Sequence, residues 1–366
     1  MNLPDKVLRN KAREQVTEAC IPDLIVSHMS GSHAYGMNTP TSDVDVRGIF
    51  CAPRKCICTP FNNINEQTIP SMEDAKVYEV SRFIQMYTDA NPNILETLWV
   101  DEEDILTGSE AYTLLRNHRQ QLLSKKVAFT YSGYALSQLK RVKGHKKWIN
   151  NPCPVNPPKQ SDYVSLVQNF TDDKILPSEF SLINYKEGCR LIPFGNNLFG
   201  LYVGGKGGDY NTHTDDGMLN MVFVDESRVD WGAPQMIVKW NKEDWAREKE
   251  THKNYWTWKR NRNPIRAALE EEHGADMKHV SHLVRLLRSV EEILTEGVVK
   301  VRRPDAEELL AIRNGSWQYD DIIKWAEDKD KLIRTTLYNQ SELRNKPNLN
   351  LAGKLMMTIQ DIYWEK

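Results

Sequence analysis

Met29-Ser30-Gly31-Ser32-His33-Ala34-Tyr35-Gly36 and, after residues 37–41, Ser42-Asp43-Val44-Asp45-Val46-Arg47-Gly48 form the stretch on which the reading of the fold turns. Residues 23–29 are a short apolar run with β-branched Ile25 and Val26, the pattern of a buried strand. Gly31-Ser32 breaks the strand and opens a short helix. Tyr35-Gly36 and Thr39-Pro40-Thr41-Ser42 mark a turn. Residues 43–50 alternate as a second strand. Alternate residues of a strand share a face, so Asp43 and Asp45 project together, with Arg47 next in the row.

Two carboxylates held side by side repel each other unless a divalent cation sits between them. Mg²⁺ takes oxygen ligands and keeps waters and substrate phosphates in its shell. Backbone N–H groups at a helix start favour an anion such as a triphosphate, and glycine lets the phosphate approach the backbone. The combination points to metal-assisted phosphoryl or nucleotidyl transfer, with two metals clamping the attacking and leaving oxygens. A third carboxylate from a neighbouring strand would complete the site. Residues 76–80 read as that strand. Glu79 is the first candidate and Asp74 the second.

Outward from this core, a helix is expected over 6–20. Another over 82–90 ends at Asn91-Pro92, because proline disfavours helical geometry in the residue before it. Helices follow near 108–123 and 128–149, and Pro152, Pro154, Pro157 and Pro158 break the chain. Short apolar runs at 189–193, 198–203, 219–224 and 235–240, separated by Gly- and Asp-rich turns, predict a small β meander. Asn263-Pro264 opens a helical region with breaks at Asn314-Gly315 and Lys346-Pro347. The expected fold class is α+β. A catalytic domain with a mixed sheet spans 1–124, and a helical module spans 125–366 with a β-rich insertion at about 155–262.

Composition narrows the classes. Lys+Arg total 48 against 50 Asp+Glu in 366 residues, a net charge of −2, which argues against a polybasic coat or an acidic tail protein. Hydrophobic residues at 40% and charged residues at 27% describe a globular chain rather than a disordered one. No apolar run reaches the about 18 residues of a membrane span, and the first residues lack the apolar segment of a signal peptide. Cys20, Cys51, Cys56, Cys58, Cys153 and Cys189 contain no CxxC pair, so reduced thiols in a cytoplasm are expected.

A helix after Asp276 carries a second set of candidates. With Lys278 at 0° and about 100° per residue, His282 falls near about 40° and Arg285 near about 340°. Leu283, Leu286, Leu287, Val290 and Leu294 cluster at about 80–180° as a core face, and His279 falls within it, the position of a satisfied buried histidine. Lys278, His282 and Arg285 share a narrow face that suits either a solvated surface or a phosphate.

Gly31-Ser32, then Asp43-Val44-Asp45, then an acid on a later strand resembles the polymerase-β-type nucleotidyltransferase superfamily. Gly31-Ser32-His33-Ala34-Tyr35-Gly36, Asn91-Pro92-Asn93-Ile94-Leu95-Glu96 and Asp276-Met277-Lys278-His279-Val280-Ser281-His282-Leu283-Val284-Arg285-Leu286-Leu287 are similar to its RNA-ligase-associated, RNA-repair branch in bacteria and bacteriophages. The resemblance implies a nucleotidyltransferase that moves a nucleotide from an NTP to an acceptor hydroxyl. It implies two Mg²⁺ or Mn²⁺ ions on Asp43, Asp45 and Glu79. It places Gly31, Ser32 and Ser42 on the phosphates, and favours phosphate contact for Lys278, His282 and Arg285. An RNA 3′ end is the expected acceptor. A protein side chain accepting AMP and a non-catalytic RNA-binding module are the alternatives.

Two stretches suit RNA. Lys140, Arg141, Lys143, Lys146 and Lys147 form one run without an acid, and residues 252–262 interleave cations with aromatics. The bland reading of each is a wet basic face, with Trp residues plugging a core. Gly204-Gly205-Lys206-Gly207-Gly208 lacks the Gly-x₄-Gly-Lys-Ser/Thr spacing and reads as a hairpin tip. Asp209, His213, Asp215 and Asp216 fit a turn as well as a metal.

Overall fold

The computed structural model describes residues 3–61, 64–72, 74–172, 174–204, 210–221, 232–262 and 264–365. It divides into two compact units, one made of 1–149 with 264–366 and the other of 150–263. In the first, helix α1 (Leu3–Glu18) leads to strand β1 (Leu24–Ser30), the short helix α2 (Gly31–Tyr35) and strand β2 (Asp45–Phe50). Helix α3 (Arg54–Ile57) and strands β3 (Glu66–Thr68) and β4 (Ala75–Glu79) follow. Helices α4 (Val80–Thr88) and α5 (Pro92–Leu95), strand β5 (Ile105–Gly108) and helices α6 (Glu110–Asn117) and α7 (Val127–Asn150) complete this half.

The five strands form one mixed sheet in the order β3-β4-β2-β1-β5. β1 and β2 are antiparallel with Ser30 beside Asp45, while β2 and β4 are parallel with Val46 beside Ala75 and Phe50 beside Glu79. α1 covers one face, where Ala12 and Val16 pack with Met29, Val46 and Leu106. The other face carries Ile25 and Ile49 against α4, α6, α7 and the C-terminal helices. The α+β class expected from the sequence is the class found. The helical stretch expected over 108–123 is found as α6 and a 3-10 turn (Arg119–Leu122), but the strand β5 just before it is not among the expected elements. It is four residues long, too short for its alternation to show, and it pairs with β1 at the sheet edge.

In the second unit, β6 (Val164–Asn169), β7 (Cys189–Gly195), β8 (Leu198–Val203) and β9 (Met236–Trp240) form an antiparallel sheet in the order β6-β9-β8-β7. Leu191, Leu201, Val238 and Trp240 form its core. Helix α8 (Lys242–Asn261) closes this unit. His252 Nε2 and Trp256 Nε1 both lie within 3.0 Å of the Pro154 carbonyl, so part of the basic-aromatic stretch pins the proline segment. Residues 205–209 and 222–224 of the expected hairpin tip, turn and strand lie outside the described residues.

The chain returns to the first unit through α9 (Pro264–His273), α10 (Met277–Glu296), α11 (Ala306–Arg313) and α12 (Tyr319–Leu332). A π-helical turn (Ile333–Leu337), α13 (Tyr338–Gln340) and α14 (Leu349–Trp364) end it. Leu283, Leu286, Leu287, Val290 and Leu294 are buried, as the helical spacing requires. All six cysteines are free thiols, and among the described residues no helix is long and apolar enough to cross a membrane.

Candidate active site

β1 delivers Ser30 beside Asp45, and Gly31 turns the chain at once into α2 with φ +62, a backbone state that L side chains rarely adopt. The turn is tight against β2: a Cβ on Gly31 would run into the Asp45 carboxylate. Glycine at this position is thus what allows an aspartate on the next strand to sit against the phosphate turn. Asp43 lies just before β2 and is exposed, while Asp45 is half-buried. Burial raises the Asp45 carboxyl above its usual range, and Asp74 and Asp43 push it further up, against Arg47 and Lys278. A half-buried carboxylate among like charges is the environment that a divalent cation relieves.

Opposite this turn stands α10, started by Asp276, whose carboxylate accepts from the Lys278 and His279 N–H groups. A cavity of about 270 Å³ lies between the two. Gly31, Ser32, Ser42, Asp43 and Asp45 line one side, and Lys278, His282 and Arg285 the other. The structure thus brings eight of the nine metal and phosphate candidates into one cavity. The ninth, Glu79, is elsewhere.

Glu79 stands at the far end of the β2–β4 pair, beside Phe50 rather than Asp45. Its carboxylate is buried and caps α4, accepting from Ser81 N at 2.7 Å. Parallel register is the reason: with Ala75 beside Val46, Asp74 stands level with Asp45, and Glu79, five places further along, is carried about 16 Å away. Asp74, the second candidate, is the carboxylate that the register sets beside this end of β2. Its backbone carbonyl accepts from Val46 N and from Arg47 at 2.8 Å. Glu79→Ala is therefore expected to cost about 1 kcal/mol of stability as a lost helix cap and to leave catalysis intact. A melting curve and a transfer assay on the same preparation check this.

Two further candidates have structural duties. Ser42 Oγ accepts from Thr39 N at 2.9 Å and closes the turn before Asp43. Arg285 is buried, bonded to Glu96 at 2.7 Å, and stacked 3.9 Å from the centroid of Tyr35, whose hydroxyl also bonds Glu96. This network ties α2 to α10. Burial, then the charge of Arg285, pushes His282 down to about 3, so its ring is neutral at physiological pH. His279 is half-exposed, 3.6 Å from Asp276, and not the core histidine expected.

Arg313, in the last turn of α11, also lines the cavity; it has no hydrogen bond or ion pair among the described residues. Nothing in its local sequence marks it, since it is delivered by the packing of α11 on α10. Of the basic run, Lys143 bonds Glu327 at 2.9 Å and Lys146 sits 3.4 Å from the centroid of the Tyr319 ring. Lys140, Arg141 and Lys147 are exposed, and the charge of Arg141 reaches His282. Another acidic group, Asp101, Glu103 and Asp104, has carboxylates close enough to hold an ion. Its charge is already met by Arg9 and Arg302, which bond Asp104 from two sides.

Comparison with known proteins agrees with this geometry. Residues 5–150 match the model of a family described as the RNA repair pathway DNA polymerase beta family, and this N-terminal segment carries that family's signature. A stretch of 135 residues is 25% identical to an uncharacterized 38.9 kDa protein in the nrdC-mobD intergenic region of Enterobacteria phage T4. That alignment covers 33% of this chain and 40% of the phage protein, so the match spans less than half of its relative. No solved structure matches the chain. The family description is that of a polymerase-β-type protein of RNA repair, which suggests nucleotidyl transfer, a chemistry that usually uses divalent metals.

Proposed function

We propose that the protein is a Mg²⁺-dependent nucleotidyltransferase that moves an NMP from an NTP to the 3′ hydroxyl of RNA. The observation that carries this reading is the single cavity in which an Asp-x-Asp pair, a glycine phosphate turn and the cations Lys278 and Arg313 face one another. The oxygen donors Asp43 and Asp45 fit a hard divalent cation, which when bound would offset the charge building on the transferring phosphoryl group. Lys278 and Arg313 would hold the triphosphate, Arg313 through its planar fork. Gly31 would let the phosphates approach the backbone. Neutral His282, whose Nδ1 accepts from Arg285, can donate one hydrogen bond from Nε2 to the nucleotide without adding charge. The acceptor oxygen would bond to the α-phosphorus as the bond to the bridging oxygen breaks, and pyrophosphate leaves.

The test is incubation with each α-labelled NTP and Mg²⁺, with and without an RNA oligomer. Label on RNA, with release of pyrophosphate, is expected. Label on the protein instead would replace RNA with a protein acceptor, and no transfer from any NTP would sink the reading. Arg313→Ala is expected to raise KM for the NTP about tenfold or more, the loss of one charge-assisted phosphate contact.

A further inference from the structure

A second cluster, away from the catalytic cavity, lies at the start of α7. A cavity of about 680 Å³ opens between Lys126 and Phe129 and the loop that runs from Arg344 to Asn350. The Phe129 ring is 49% exposed although it is a large aromatic group. Tyr338 meets it edge-on at 5.4 Å, and the Arg334 guanidinium lies 5.8 Å from its centroid. Arg334 is carried by the π-helical turn, a wide-ring geometry that is rare and recurs at functional sites, and Tyr338 follows it directly.

The charge of this groove is positive. Lys126 is met by Asp89 and Arg334 by Asp330. Lys125 stands over the Tyr338 ring at 5.5 Å, and Arg344 and Lys346 are exposed; none of the three has an ion pair among the described residues. The amides of Asn345 and Asn350 lie on the same rim. The outward face of α7 continues from it: Gly133 and Gly144 have nothing within 4 Å of an added Cβ. A glycine inside a helix costs about 1 kcal/mol relative to alanine, and packing within the protein does not account for two. Lys126 and Arg141 are separated by about 22 Å of helix, and Leu139 and Val142 on the same helix share the core with Val280 and Leu283 of α10, the helix that lines the catalytic cavity.

We propose that the Phe129 groove holds an unpaired base of an RNA strand that runs along α7 with its 3′ end in the catalytic cavity, an inference that rests on the nucleotidyl-transfer reading. Phe129 offers the stacking platform, the asparagine amides face the base edge, and Arg344 and Lys346 meet the flanking phosphates. The open glycines leave room for the strand to approach the helix backbone.

The experiment is fluorescence anisotropy of a labelled single-stranded RNA oligomer on the full chain without NTP, over a salt series. Phe129→Ala is expected to weaken binding about tenfold, within the range of one lost stack, with an unchanged salt slope. Arg344→Ala with Lys346→Ala is expected to weaken it and to reduce the slope of log K against log salt by about 1.4. Both variants should keep the wild-type melting temperature and KM for the NTP. Wild-type binding and transfer to RNA with both variants unaffected overturns the groove alone. A wild-type protein that binds no RNA overturns the groove and the RNA acceptor together, while transfer of label to a protein acceptor would leave the catalytic cavity standing.

Discussion

Asp45→Asn is expected to abolish nucleotidyl transfer and to raise the melting temperature of the metal-free protein. Both effects have one cause. The Asp45 carboxylate is half-buried, pressed against Gly31, and placed among Asp43 and Asp74. Ionised and without a cation, it is desolvated and repelled. Its charge is then a cost to the fold that function requires. Asparagine keeps the shape and removes the charge. Transfer should fall by about 10²–10³-fold or more, the scale of deleting one group that acts on transition-state charge. Stability of the metal-free protein should rise by roughly 0.5–2 kcal/mol, the range of a relieved functional site. Thermal melts with a chelator, set beside transfer rates, check both halves. A variant that transfers normally would remove Asp45 from the site.

Arg285→Ala should produce the largest loss of stability among single changes at the cavity. The guanidinium is buried against Glu96 at 2.7 Å, and its loss would leave a buried carboxylate with Tyr35 as its remaining hydrogen-bond partner among the described residues. Breaking a buried pair from one side costs about 3–5 kcal/mol. Replacing both members, Arg285→Met with Glu96→Leu, should recover most of that, because no uncompensated charge remains. The double variant would still lose transfer, since Arg285 and Tyr35 hold α2 against α10. Denaturant titration of the single and double variants checks this. Equal destabilisation by both would mean that packing, rather than the stranded charge, sets the cost.

The sequence exposed those parts of the site that are local. Gly31-Ser32 and Asp43-Val44-Asp45 sit within a few turns of each other in the chain, and the turn between two strands is enough to bring them together. Helical spacing likewise put Lys278, His282 and Arg285 on one face. What it could not give is register. Alternation marked the β4 strand, yet parallel pairing sets Phe50 beside Glu79 and sends that acid to cap α4. Long-range pairing was equally hidden. Glu96 claims Arg285 across 189 residues, which turns an expected phosphate ligand into a strut between helices. Arg313 reaches the cavity for the same reason, through packing of helices far apart in the chain. His279 lies on the core side of the helical wheel but close to the helix start, where the N-cap carboxylate and solvent meet it instead.

The most direct measurement is electron paramagnetic resonance of Mn²⁺ titrated into the protein with a non-hydrolysable NTP analogue. Wild type should bind the ion more tightly when the analogue is present, and the Asp43→Asn/Asp45→Asn variant should lose that binding. Retention of the ion by this variant, with loss on Asp101→Asn, would contradict the assignment of the cavity between α2 and α10 as the place where metal and nucleotide meet.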